Sequence, residues 1–69
     1  MSRKYVCVIW SNTSFAREYE VTTRSAMKCA IEYGRAEGGE VVQVQSKSGK
    51  VISAVAWSPE YRNYYRQYI

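Results

Sequence analysis

EVVQVQSKSGKVISAVAW, residues 40–57, decides the fold. Two β-prone runs, 40–47 and 50–57, flank Ser48-Gly49, and glycine supplies the positive φ that a tight hairpin turn requires. Read as a two-residue turn, Ser48-Gly49 fixes the register. It predicts Val42 opposite Val55 and Ser46 opposite Val51 on one face; Val41 then opposes Ala56, Gln43 opposes Ala54 and Gln45 opposes Ile52 on the other.

Upstream, Gly38-Gly39 is a helix stop, because glycine takes the left-handed conformation of a C-cap at no steric cost. Before it, Ala26, Cys29, Ala30 and Tyr33 recur at helical spacing, with Thr23 or Ser25 as N-cap. Arg24, Lys28, Glu32 and Arg35 fall on the opposite, solvated face. Residues 15–22 alternate as a strand, with Phe15, Tyr19 and Val21 against Ala16, Glu18 and Glu20. Residues 3–10 carry apolar groups on both faces, as a central strand does, and residues 11–14 form a polar turn.

The expected fold class is α+β: strand, strand, helix, strand, strand, giving a four-stranded antiparallel sheet of order 2-1-3-4 with one helix on a face. The chain reads as one domain over residues 1–69, with a core over 3–57 and a tyrosine-rich tail over 58–69. In that tail, Ser58-Pro59-Glu60 has the form of a helix start: a capping hydroxyl, proline at the first position and an acid near the positive end of the dipole. Tyr61, Tyr64, Tyr65 and Tyr68 then share one helical face. The expectation is a short C-terminal helix that lays this stripe over the second face of the sheet.

Composition narrows the function. Sixty-nine residues bury only about 60% of the unfolded chain's surface, too little for a large enzyme pocket. The chain is 46% hydrophobic without a single leucine, so its core must come from Val, Ala, Ile, Tyr and Trp, which suit a pleated surface. With no His and no Asp, the usual triads, imidazole bases and His-based metal sites are excluded. Glu18 and Glu20 read as solvated surface, and no phosphate-cradling loop is present. A non-catalytic protein without cofactor or metal is expected. Cys7 and Cys29 lie on faces assigned to the core, as free thiols or as one disulfide. The sequence has no apolar run of signal-peptide or membrane-span length, so a cytoplasmic protein is expected, a monomer or weak dimer.

Ten Lys and Arg against six Glu give a net charge of +4, which suits an acidic partner. Arg24, Lys28 and Arg35 form one candidate binding group along the helix; Lys47 and Lys50 flank the hairpin turn, and Arg62 and Arg66 lie in the tail. Together they could neutralise phosphates or meet an acidic protein surface. No helix-turn-helix, zinc or RNP-type spacing is present, so nucleic-acid contact would be mainly electrostatic.

The stretch EYEVTTRSAMKCAIEYGRAEGGEVVQVQSKSGKVISAVAW, residues 18–57, resembles small phage-encoded inhibitors of host systems, most closely the type I-F anti-CRISPR proteins. It next resembles phage inhibitors of bacterial RNA polymerase. The likeness covers residues 4–57 as a pattern of elements. It implies a host-takeover protein that blocks a bacterial defence complex, a ribonucleoprotein, sterically and electrostatically. In those inhibitors, helix-face lysines occupy the surface where target DNA would lie; Lys28 matches such a position. Arg35 shares the face without a residue-for-residue match, and the tail is absent from those relatives. The alternatives are a basic nucleic-acid-binding domain that contacts phosphates and an inhibitor of host RNA polymerase.

Overall fold

The computed structural model describes residues 3–11 and 16–67. Five strands and one helix follow in the order β1 (Arg3–Trp10), β2 (Arg17–Thr23), α1 (Ala26–Glu37), β3 (Val41–Gln45), β4 (Val51–Ser58) and β5 (Asn63–Arg66). All neighbours in the sheet β2-β1-β3-β4-β5 are antiparallel. The expected order 2-1-3-4 is therefore present, extended by a fifth strand.

Both ends of α1 close as the sequence predicts. Ser25 is the N-cap, its Oγ accepting from the Lys28 N–H at 3.3 Å, and Thr23 braces it through two hydrogen bonds to the Ser25 backbone. Gly38 ends the helix at φ 66° and donates its N–H to the Gly34 carbonyl. The helix packs Cys29 and Ala30 onto Cys7, Ile9, Val21, Val42, Val44 and Val55, all from one face of the sheet. Ile9 and Val42 are opposite each other, as are Val42 and Val55, so the core runs as a continuous row across three strands. At Gly39 a Cβ would collide with the Ile9 side chain, which explains the second glycine of the pair.

The hairpin keeps three of its expected pairs, Val41 with Ala56, Val42 with Val55 and Gln43 with Ala54. Nearer the turn the register differs. Gln45 pairs with Val51, and the shift between Val44 and Gln45 leaves Ile52 as an extra residue on β4. The reason is the loop. Gly49, at φ 92°, returns its N–H to the Ser46 carbonyl, and the Ser46 N–H donates to the Lys50 carbonyl. Lys47, Ser48 and Gly49 thus form a three-residue connection where a two-residue turn is expected, and the bulge absorbs the added residue.

The tail departs furthest from expectation. Residues 59–62 are a turn, and Asn63–Arg66 is a strand paired with β4, so no C-terminal helix forms over these residues. Trp57 sits opposite Tyr64 and Ala56 opposite Tyr65, which sends the two tyrosines to opposite faces. Arg62, at φ 52°, turns the chain back. Two side-chain bonds serve the turn: the Tyr61 N–H reaches Ser58 Oγ at 3.4 Å, and Asn63 Oδ1 accepts from the Tyr64 N–H. Local helix signals yield here to the open edge of β4, whose backbone groups β5 satisfies. Phe15 and Tyr68, and most of the polar turn before β2, lie outside the described residues.

Candidate functional site: a basic end of the sheet

Antiparallel register sorts the charges. Arg3 and Lys4 pair with Thr23 and Thr22, so the start of β1 and the end of β2 lie at one end of the sheet. Val6 pairs with Gln45 and Gln45 with Val51, which brings the β3–β4 loop to that same end. The chain leaves β2 there through Arg24, and α1 begins. Six of the ten cations, Arg3, Lys4, Arg24, Lys28, Lys47 and Lys50, therefore gather at one end, all exposed. Lys28 sits in the first turn of α1, where the unpaired N–H groups carry the positive end of the helix dipole and no acid offsets it.

The glutamates lie elsewhere. Glu18 pairs with Val8, Glu37 is in the last turn of α1, the Glu40 N–H donates to the Trp10 carbonyl and Glu60 follows the end of β4. These four of the six acids cluster toward the opposite end. Among the described residues the one ion pair is Arg17 with Glu37 at 3.3 Å, also at that far end. Among the described residues, none of the six cations forms an ion pair with a glutamate.

The structure brings together Arg24, Lys28, Lys47 and Lys50 and adds Arg3 and Lys4, which the sequence does not single out. Their signal was weak: two basic residues opening a strand, meaningful only once pairing places them beside the hairpin loop. Arg35 stands at the other end of α1, its Nη2 donating to Asn63 Oδ1 at 2.8 Å. Arg62 is beside it in the turn before β5, and Arg66 ends β5 on the flank of the sheet. Arg35 and Arg62 are therefore separated from the hairpin lysines by the length of the sheet.

The far end, where Arg17, Arg35 and Arg62 accompany the four glutamates, holds a cleft of about 390 Å³ lined by Gly34, Arg35, Gly38, Glu40, Trp57 and Tyr64. Tyr64 closes its floor by donating from its hydroxyl to the Gly39 carbonyl at 2.6 Å, and burial pushes the phenol's pKa up. At the β2 side the Tyr19 hydroxyl donates to Glu37 Oε1, and that bond raises the Tyr19 pKa. Cys7 and Cys29 are buried free thiols. Burial, followed by the neighbouring Cys29, pushes Cys7 up to about 12, and burial likewise raises Cys29. Such thiols are held protonated, the opposite of what a nucleophile needs. Among the described residues no group of three His, Cys, Asp or Glu side chains converges as metal ligands, and no helix is long and apolar enough to cross a membrane.

No protein-family model, no curated protein and no solved structure matches the chain.

Proposed function

We propose that the protein is a non-catalytic inhibitor that sets its basic end on an acidic or nucleic-acid-bearing surface of a bacterial complex and blocks it sterically. The observation that carries this reading is the segregation of charge: six exposed cations at one end, with four of six acids toward the other. A dispersed surplus of the same size serves solubility, whereas a segregated one creates a directional field that steers association. The defence-complex target, and the phage or mobile-element origin, rest on the pattern resemblance of residues 18–57 and on the match of Lys28 to a partner-facing lysine. Lys28 now stands within the basic cluster, while Arg35 acts from the far end of the helix, as a peripheral contact.

The experiment is capture from bacterial lysate with tagged wild type and with a Lys28→Glu/Lys47→Glu variant, each with and without nuclease. A discrete set of proteins that survives nuclease and is lost in the variant supports the reading and identifies the complex. Material released by nuclease makes the protein a phosphate-contacting nucleic-acid binder. Equal capture by wild type and variant removes the basic end from the mechanism.

A further inference from the structure

The cleft at the far end of the sheet sets three unlike groups in one row. Glu40 extends β3 by one residue, donating its N–H to the Trp10 carbonyl and accepting from the Trp57 N–H, and Trp57 pairs with Tyr64 on β5. On the β5 side Arg35 is held by its bond to Asn63 Oδ1 at 2.8 Å. Carboxylate and guanidinium therefore flank the Trp57 indole on opposite sides, anchored on strands two spacings, or about 10 Å, apart.

Each of the three has capacity left. Trp57 is 37% exposed, although it lies on the core side of the sheet. Among the described residues nothing pairs with the Glu40 carboxylate, and Arg35 uses one donor of its fork on Asn63. At Gly38 a Cβ would meet nothing within 4 Å, so the mouth beside the helix cap is open. A volume of about 390 Å³ is that of a small-molecule site.

We propose that this cleft binds an unpaired guanine nucleotide: the base stacks on Trp57, Glu40 reads its Watson–Crick edge and Arg35 holds its phosphate. The separation of the charges selects the class of ligand. A free amino acid carries ammonium and carboxylate on one carbon, too close together to reach both flanks. A nucleotide has its hydrogen-bonding edge and its 5′-phosphate at opposite ends, with a planar ring to lie on the indole. The carboxylate then selects the base, because an ionised carboxylate only accepts. Guanine offers adjacent donors, N1–H and the N2 amino group, to both carboxylate oxygens. Adenine and cytosine set a ring-nitrogen acceptor beside their amino group, and uracil flanks its N–H with two carbonyls, so each turns a lone pair toward Glu40. On the other flank the guanidinium fork suits phosphate, and exposed Arg62 in the turn before β5 adds a second cation. Glu37, at the end of α1, is already engaged by Arg17 and Tyr19 on the β2 side. The site uses none of the six clustered cations, so it stands apart from the proposed inhibitory role.

Titration of the full chain with GMP tests it, read by tryptophan fluorescence in a Trp10→Phe background that leaves Trp57 as reporter. The expected result is saturable quenching, with GMP bound about tenfold or more tightly than AMP, CMP or UMP. Glu40→Gln should weaken GMP roughly tenfold and reduce that preference, whereas Arg35→Gln should weaken GMP and leave guanosine unchanged. Both replace exposed side chains, so circular dichroism should show the fold intact. Ile52→Ala, at the other end of β4, should leave binding unchanged. A short thymidine oligonucleotide with one central guanine, set against the all-thymidine strand, separates the sources. Tighter binding of the guanine-bearing strand than of GMP identifies a base within a strand, and equal binding identifies the free nucleotide; both support the site. No saturable response to GMP or to that strand up to about 5 mM overturns the proposal. Equal affinity for the four mononucleotides, or GMP binding indifferent to Glu40→Gln, overturns it too.

Discussion

The hydroxyl of Tyr64 donates to the carbonyl of Gly39 at 2.6 Å, joining the last strand to the residue that follows the helix cap. Its ring also packs edge-on against Trp57, with centroids 5.1 Å apart. One side chain thus fastens β5 to the helix and to β4. Tyr64→Phe keeps the ring and removes the hydrogen bond, leaving a part-buried carbonyl unpaired. The expected loss is about 1–2 kcal/mol in chemical denaturation. A loss indistinguishable from zero would mean that water replaces the phenol without cost.

Gly34 lies under that ring, and a Cβ placed on it would come within 2.8 Å of Tyr64 Cζ. Alanine is nevertheless the better helix former by about 1 kcal/mol. The two effects oppose, and which wins depends on Tyr64. In wild type, Gly34→Ala should destabilise by roughly 1–3 kcal/mol because the ring is held at both its hydroxyl and its edge. In a Tyr64→Ala background the space opens, and the same substitution should stabilise by roughly 0.5–1 kcal/mol. A double-mutant cycle measured by urea unfolding reads the sign change directly.

Sequence alone carried the helix and the order of four strands, because Ser25, Gly38 and the two-sided apolar run of β1 each act locally. It failed where a long-range partner decides. Ser58-Pro59-Glu60 satisfies every local rule for a helix start, yet residues 63–66 pair with β4, since an open sheet edge offers hydrogen bonds that no local pattern reveals. Tyr64 and Tyr65, read as neighbours on one helical face, instead occupy opposite sides of a strand. The basic end was partly legible through Lys28, Lys47 and Lys50. Arg3 and Lys4 were not, because their proximity to the hairpin loop follows from the β1–β3 register.

That register makes the charge argument testable at constant net charge. Lys47→Glu/Lys50→Glu and Arg35→Glu/Arg62→Glu each replace two cations by two anions, which takes +4 to 0 by the same arithmetic, 4 − 2 × 2. Retention on a phosphocellulose or heparin matrix should fall far more for the first pair, which lies in the basic end, than for the second. Salt concentration at elution is the readout, since polyanion binding weakens as fewer anionic groups are neutralised and fewer counterions are released. Equal elution of the two variants would show that net charge alone governs binding.

Cys7 makes the final prediction, an alkaline one. Its thiol is fully buried on β1 and its pKa rises from 9.0 to about 12 on folding, because the interior disfavours the thiolate. A group whose pKa is higher in the folded state stabilises the fold below its unfolded pKa, and that contribution disappears as pH rises to the folded value. The window here is pH 9.0 to about 12. Within it the unfolded chain releases a proton that the folded chain retains, so stability should fall by up to about 1.4 kcal/mol per pH unit from this group. Tyr19 and Tyr64, also raised, act in the same direction as their own range is reached. Cys7→Ala removes only the thiol's share. The variant should be less stable at neutral pH, because it leaves a small cavity, but its stability should decline more gently above pH 9. Urea midpoints of both proteins across pH 7–11 give the comparison; parallel curves would show that the Cys7 thiol does not titrate differently in the folded and unfolded chains.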